Sequence, residues 1–166
     1  MFCLLSFIMQ IMDLHYGKIQ GHIFEHDLCV ELKKYFGSNV LNEDELERKY
    51  GKCISGIKNC VGVDIACTDG TNVYVIQCKQ VKHPSSMKAV QEFIDYSYHI
   101  SKKIGRSVIK IWASSIDPCK SGIELCNAAG VKRITYTTTA SLITNVISWI
   151  LHRKEIVDDI GDYLMV

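Results

Sequence analysis

A two-strand pattern around a tight turn occupies the middle of this 166-residue chain, between Val61 and Gln80. Apolar and polar residues alternate up to Thr68, the tetrapeptide DGTN follows, and a β-branched and aromatic run begins at Val73. Glycine tolerates a positive φ, and Asx side chains bond their own backbone, so the tetrapeptide is typical of a turn. The pattern therefore predicts an antiparallel hairpin whose two outer ends lie side by side.

Three polar side chains are expected at that open end of the hairpin. Asp64 stands near the start of the first strand, and Gln77 and Lys79 stand near the end of the second. Residues two apart project from the same face of a strand, so Gln77 and Lys79 share a face. A carboxylate and an amide oxygen suit a hard cation such as Mg²⁺, and a lysine can stabilise charge on a phosphoryl group or position water. The alternative is a surface hairpin with scattered polar residues.

Residues 18–36 predict an amphipathic helix that begins near Gly21. Its apolar stripe recurs at helical spacing and consists of Phe24, Leu28, Leu32 and Tyr35. Gly37 is the expected stop at the C-terminal end of this helix. Glu25 lies beside the stripe, in the first turn, where the helix dipole also favours an exposed acid.

Two motifs of the hairpin, GVD at 62–64 and QCK at 77–79, resemble the core of the PD-(D/E)XK nuclease superfamily. The resemblance is closest to the branch related to the Mrr restriction endonucleases, in which glutamine replaces the second acidic residue. Val63 stands where the superfamily has proline, a departure that this branch tolerates. The first helix, with GHIFE at 21–25, resembles the first helix of the Mrr-like nucleases, in which a glutamate points at the active site.

This resemblance implies an α/β fold of the restriction-endonuclease-like class, with a mixed central sheet flanked by helices and an αβββαβ core. It implies one nuclease-like domain over 1–166, with its core at about 18–152, an apolar segment at 1–17 and a tail at 153–166. The implied function is a DNA endonuclease that hydrolyses phosphodiester bonds with Mg²⁺ or Mn²⁺. A catalytically silent DNA-binding module of the same fold is an open alternative.

The resemblance also implies a role for each candidate site residue. Asp64, Gln77 and the backbone carbonyl of Cys78 would hold the cation, and Glu25 would join them directly or through a water molecule. Lys79 would orient or activate the attacking water. Because the glutamine ligand carries no charge, we expect weak metal affinity in the absence of bound phosphate.

A competing motif overlaps the first helix. His22, Glu25 and His26 spell H-x-x-E-H, the inverzincin signature, with the two histidines on one helical face. In that interpretation the histidines bind Zn²⁺ and Glu25 is the general base of a peptidase. The rest of the chain does not resemble those peptidases, so we treat zinc as the weaker hypothesis.

The segments after the hairpin alternate between helix and strand. We expect a helix capped by Ser85 or Ser86, a strand over 107–115, a helix over 117–130 capped by Asp117, a strand over 131–136 and a helix over 140–152. The stripe of the first of these helices consists of Val90, Phe93, Ile94, Tyr98 and Ile104. This order is typical of crossover connections, which make this part of the sheet parallel.

The region from 38 to 57 is harder to interpret, and the strand expected before the hairpin has no clear position in it. Asn42 with Glu45 has the spacing of a capping box, which predicts a short helix there. With 19 basic and 18 acidic residues, only a local surface can attract DNA. The residues predicted to contact it are Lys58, Lys82, Lys88 and Gln91.

The eight cysteines contain no C-x-x-C pair. Cys29, Cys67 and Cys78 lie in apolar segments, where a thiol acts as a small hydrophobe, so we expect a reduced intracellular protein of the cytoplasm or nucleus. The apolar stretch from Met1 to Met12 lacks a basic n-region and a cleavage site, and it is shorter than the roughly 20 residues of a membrane span. We therefore expect no membrane association there, and a buried helix or a homodimer contact instead.

Overall fold

A computed structural model describes residues 21–51, 62–136 and 138–163, with 154–163 described by their backbone alone. The α-helices within these ranges are α1 (residues 21–36), α2 (Glu43–Tyr50), α3 (Met87–Ile104), α4 (Lys120–Ala128) and α5 (Thr139–Tyr163), and a 3-10 turn at Gly37–Asn39 follows α1. The strands are β1 (Val40–Asn42), β2 (Ile65–Thr68), β3 (Val73–Lys79), β4 (Ile109–Ser114) and β5 (Lys132–Thr135). None of the described helices combines the length and the apolar character that a membrane crossing needs.

The strands form one mixed five-stranded sheet in the order β1-β2-β3-β4-β5. The pairs β1–β2 and β2–β3 are antiparallel, whereas β3–β4 and β4–β5 are parallel. The predicted α/β fold class is confirmed, because α1, β1, β2, β3, α3 and β4 follow one another as an αβββαβ core with α2 inserted after β1. The strand that the sequence could not place is β1, which has only three residues.

The predicted hairpin is confirmed, and its turn explains its register. The Asp69 carboxylate accepts hydrogen bonds from the backbone N–H groups of Thr71 at 2.9 Å and Asn72 at 2.6 Å. Gly70 has a φ of +95°, which favours glycine at this position. The turn sets Ile65 opposite Ile76, so the positions of Asp64 and Gln77 follow as neighbours at the open end.

Each face of the sheet is covered by helices over its own apolar core. Side chains of α1 and α5 pack on one face, where the rings of Phe24 and Tyr136 lie 5.3 Å apart. Side chains of α2, α3 and α4 pack on the other face, where Phe93 meets Trp112 edge to face at 5.8 Å. Alternate residues of β3 enter the two cores, as the strand period requires.

Two tyrosines predicted to lie in apolar stripes are exposed instead, Tyr35 at 55% and Tyr98 at 71%. In α3 the buried positions include Phe93, Ser97 and Ile100, and Tyr98 is one residue, or about 100°, away from that face. At the end of α1 it is Phe36, the next residue, that packs against the core.

The predicted helix cap at Asp117 is wrong. The helix α4 begins later, at Lys120, with Cys119 as an N-cap whose side chain forms no capping hydrogen bond. Asp117 instead accepts a hydrogen bond from Nη1 of Arg133, on β5, at 2.8 Å. The Arg133 guanidinium thus takes the carboxylate that would otherwise cap the helix. The other predicted cap in this half is confirmed, since the Ser86 hydroxyl accepts from the N–H of Ala89.

Candidate active site

Carboxylates from three different elements converge at the open end of the hairpin. Glu25 comes from α1, Glu43 is the first residue of α2, and Asp64 directly precedes β2. Each offers an oxygen atom, and these atoms lie within 4.8 Å of one another. The sequence singled out Glu25 and Asp64 as site candidates, and the structure brings them together. Glu43 is a further member that sequence reasoning missed.

A local hydrogen-bond motif explains the position of Glu43. The Asn42 side chain accepts from the N–H of Glu45 at 3.0 Å, and the N–H of Asn42 donates to the Glu45 carboxylate at 2.8 Å. This is the predicted capping box, and it fixes Glu43 as the first helical residue. Asn42 also ends β1 opposite Ile65, which places Glu43 beside Asp64. The capping box was visible in the sequence, whereas the strand pairing that makes it relevant was not.

Asp64 is the most buried of the three carboxylates, with 7% of its surface exposed. Its Oδ2 atom accepts one hydrogen bond from the Gln77 amide and one from the backbone N–H of Cys78, both at 2.5 Å. The N–H of Asp64 donates to the carbonyl of Ile76 at 3.0 Å, which ties the residue to β3. The carboxylate is therefore held in one orientation by the opposite strand of the hairpin.

The other candidates on β3 lie around this carboxylate. Gln77 is buried, and its amide nitrogen donates to Asp64 and, at 3.4 Å, to the carbonyl of Cys78. The carbonyl of Lys79 accepts from the N–H of Ser115 at 3.0 Å, which anchors the end of β3 to the segment after β4. That Gln77 and the Cys78 carbonyl bind a metal remains a prediction. In this structure the Gln77 amide bonds the Asp64 carboxylate directly.

The pKa values of the cluster show the energetic cost of burying these carboxylates. Burial raises the pKa of Asp64 to about 8, the Lys79 ammonium opposes this shift, and the Glu25 carboxylate adds to it. Burial is also the largest cause that raises the pKa values of Glu25 and Glu43 above their ordinary value. A bound divalent cation would offset this cost, because it favours the charged form of each ligand.

The shift at Asp64 predicts a pH dependence of stability. A carboxyl whose folded-state pKa lies above its ordinary 3.8 binds its proton more tightly in the folded protein. Its contribution to stability is complete below that ordinary value and is lost as the pH rises towards about 8. In EDTA, the melting temperature should therefore fall between about pH 5.5 and about pH 8.5.

Mg²⁺ should raise the melting temperature more at the higher pH, because the cation binds the deprotonated carboxylates. Differential scanning fluorimetry at the two pH values, with EDTA or with Mg²⁺, measures both effects. A melting temperature that rises with pH in EDTA would contradict the shift at Asp64.

The carboxylates Glu25, Glu43 and Asp64 border a pocket of about 420 Å³ that His22 and His26 also line. Both histidines are exposed, and Nδ1 of His22 lies 3.5 Å from the Glu25 carboxylate. Within the described ranges, the group of three or more potential metal ligands is the carboxylate cluster and not a set built on the two imidazoles.

The residues predicted to contact DNA lie in different surroundings. Lys58 is outside the described residues, and Lys82 is exposed. The Lys88 ammonium lies 3.9 Å from the Glu92 carboxylate, one turn along α3. Gln91 is exposed on α3, and its amide donates to Asp95 at 2.8 Å. Lys88 and Gln91 thus form contacts along the surface of their own helix.

No family model matches this chain, and no curated protein matches it. A repair endonuclease from Pyrococcus abyssi is similar over 45% of this chain and 32% of that chain, with 17% identity and a TM-score of 0.39. A structure of an EndoMS–dsDNA2 complex is similar over 71% of this chain and 46% of that chain, with 13% identity and a TM-score of 0.45. The aligned region covers less than half the length of either structure.

Proposed function

We propose that this chain is a metal-dependent DNA nuclease of the Mrr-like branch of the PD-(D/E)XK superfamily. The observation that carries the proposal is the cluster of Glu25, Glu43 and Asp64, whose oxygen atoms lie within 4.8 Å of one another at the end of the QCK hairpin. A set of hard oxygen donors around one point prefers Mg²⁺ or Mn²⁺ over softer metals.

The donor set fits a hard divalent cation in charge as well as in atom type. Glu25, Glu43 and Asp64 would hold the cation, with the Cys78 carbonyl and the Gln77 amide oxygen as further expected donors. When bound, the cation would polarise a phosphoryl oxygen as a Lewis acid. Without the cation, no Lewis acid would activate the phosphate and the remaining negative charge of the cluster would repel it, so we expect no activity without a divalent cation.

The residues of the chain prepare this site in two ways. The two N–H groups that bond Oδ2 of Asp64 fix its orientation before any ligand arrives, which lowers the cost of reorganisation. The Lys79 ammonium lies close enough to lower the pKa of Asp64, so its charge also reaches a phosphate at the cluster. Lys79 can therefore orient a water molecule or stabilise the charge that develops on the phosphate.

A cleavage panel tests the proposal. Supercoiled plasmid, linear duplex, single-stranded DNA and a four-way junction are incubated with Mg²⁺, Mn²⁺ or EDTA. We expect cleavage of at least one substrate with a divalent cation and none with EDTA. Binding without cleavage in every arm would contradict the nuclease and support the catalytically silent module.

Substitutions on α1 and α2 separate the carboxylate site from the zinc hypothesis. Glu25→Gln and Glu43→Gln should each lower the cleavage rate at least about tenfold, a loss typical even of residues that only support a metal ligand. The double variant His22→Ala/His26→Ala should keep most activity, because both histidines are exposed. The measurement is the initial rate of plasmid nicking, with bound zinc quantified in each protein. Stoichiometric zinc in the wild type that disappears in the double-histidine variant would overturn the carboxylate site.

A further inference from the structure

We propose that a cleft at the C-terminal end of α2, remote from the carboxylate cluster, binds a backbone phosphate of the DNA substrate. The cleft has a volume of about 210 Å³ and lies between the end of α2, the end of β2 and the segment that follows α3. Lys49, Thr68 and Arg106 line it from these three parts of the chain. The inference rests on the proposed nuclease function, since it concerns how the same substrate is held.

The charge of the cleft favours an anion. Its lining includes two cations, Lys49 and Arg106, and no acidic side chain. Neither cation forms an ion pair with a carboxylate in the part of the chain that the structure describes. Ser38 and Asn39 add neutral hydrogen-bonding groups, whereas the Thr68 hydroxyl already donates to the Asn72 carbonyl and serves to orient Arg106. Arginine and lysine near neutral donors are a common arrangement for phosphate recognition.

The sequence around Arg106 is basic well beyond the cleft. Between Asp95 and Asp117 the chain carries no acidic residue, and its basic residues are His99, Lys102, Lys103, Arg106 and Lys110. In a protein with a net charge of +1, such a segment creates a local positive potential. The negative end of the α2 dipole opposes an anion here, but Arg48 and Lys49 in the last turn of α2 offset it.

The position of Arg106 is fixed by the end of α3. Gly105 ends the helix in the left-handed conformation, with a φ of +72°. The N–H of Arg106 then donates to the Ser101 carbonyl at 3.3 Å, and the Ser101 hydroxyl donates to the Arg106 carbonyl at 2.7 Å. Nη2 of Arg106 reaches Oγ1 of Thr68 at 3.5 Å, so the guanidinium is directed towards the hairpin turn.

The opposite side of the cleft is also held in place. The Tyr96 hydroxyl donates to the carbonyl of Gly51 at 3.1 Å, and the His99 ring bonds the carbonyl of Tyr50 at 3.1 Å. These contacts fasten the end of α2 to α3. The Lys49 ammonium lies over the Tyr50 ring, 5.5 Å from its centroid. A ligand that enters the cleft therefore meets cations whose supporting backbone is already ordered.

The distance between the cleft and the carboxylate cluster suits a nucleic acid strand. The helix α2 runs from Glu43 in the cluster to Lys49 in the cleft, about 9 Å at 1.5 Å per residue. Along β2, the path from Asp64 to Thr68 is about 13 Å. These spans correspond to about three or four nucleotide steps at 3.4 Å each along a duplex. A strand with one phosphate at the cluster would thus place another near the cleft.

A salt titration with a charge-matched control tests the cleft. The cleft variant is Lys49→Gln/Arg106→Gln, and the control is Lys102→Gln/Lys103→Gln, which removes the same charge from exposed residues at the end of α3. Affinity for a labelled duplex is measured in EDTA by fluorescence anisotropy at several salt concentrations. The slope of log affinity against log salt should fall by about two in the cleft variant, uniformly across DNA sequences, and by less in the control. Equal slopes in the cleft variant and the wild type, or equal losses in the two variants, would overturn the proposal.

A second readout identifies the source of the phosphate. In amide-resolved NMR, inorganic phosphate should shift the signals of Lys49, Thr68 and Arg106 in the wild type and not in the cleft variant. If inorganic phosphate causes these shifts but the protein binds no DNA, the phosphate that occupies the cleft does not come from DNA, and the proposal is overturned.

The nuclease function and the phosphate site in the cleft can also fail separately. If the wild type cleaves DNA but its salt slope equals that of the cleft variant, only the phosphate site in the cleft is refuted. If the salt slopes differ but no DNA is cleaved, phosphate binding in the cleft is supported and the nuclease function is refuted.

Discussion

The substitution Asp64→Asn should lower the rate of DNA cleavage by more than about 100-fold and leave the protein folded. Asp64 is the carboxylate that the hairpin orients through the Gln77 amide and the Cys78 N–H. Asparagine keeps the size of the side chain but removes its charge, so the site loses one of three anionic ligands. The measurement is the initial rate of cleavage with Mg²⁺, beside a circular dichroism spectrum and a melting curve.

The same variant should be more stable than the wild type in EDTA at about pH 8.5, because a buried charge is removed. Loss of activity with a gain in stability is typical of a functional group and not of a structural one. Asp69→Asn is the matched control on the same hairpin, since Asp69 bonds the turn residues Thr71 and Asn72 as well as Tyr74. It should lower stability and leave cleavage largely intact. Full Mg²⁺-dependent activity of Asp64→Asn would refute the assigned site.

The substitution Gly62→Ala should destabilise the fold by about 1–3 kcal/mol and also reduce cleavage. A Cβ atom at this position would lie 2.7 Å from the carbonyl oxygen of Glu92 and 3.1 Å from Cα of Phe93. Both contacts are with the backbone of α3, which cannot rotate out of the way as a flexible side chain can. The segment before Asp64 and the helix must therefore separate, and the carboxylate moves with that segment.

The comparison variant for this glycine is Gly21→Ala, because a Cβ atom there meets nothing within 4 Å. Gly21 lies in α1, and alanine is a better helix former than glycine. The Gly21→Ala protein should therefore be as stable as the wild type or slightly more stable. Urea unfolding and the cleavage rate are measured for both variants. A Gly62→Ala protein with wild-type stability and activity would show that α3 does not restrict this segment.

The hairpin and its polar end could be predicted from the sequence because their signals are local. The turn depends on four consecutive residues, and the strand period decides which side chains share a face. The Asn42–Glu45 capping box and the Ser86 cap were also predictable, since each involves residues three positions apart. Glu25 was singled out only through resemblances to known motifs, the first helix of the Mrr-like nucleases and the H-x-x-E-H signature.

The membership of Glu43 in the cluster could not be predicted in the same way. It depends on the pairing of Asn42 with Ile65, two residues far apart in the sequence, across a strand of only three residues. So short a strand has no detectable alternation. The exposure of Tyr98 had a similar cause, because a shift of one residue in helical phase exchanges a core position for a surface position.

The proposed metal site requires that Glu25, Glu43 and Asp64 together hold a hard divalent cation. Titration of the metal-free protein with Mn²⁺, followed by electron paramagnetic resonance, tests it most directly, because bound Mn²⁺ loses the signal of the free ion. We predict saturable binding to the wild type that Mg²⁺ displaces, and strongly weakened binding to Glu43→Gln and Asp64→Asn. Mn²⁺ binding that is unchanged in both variants, or absent from the wild type, would refute the carboxylate metal site.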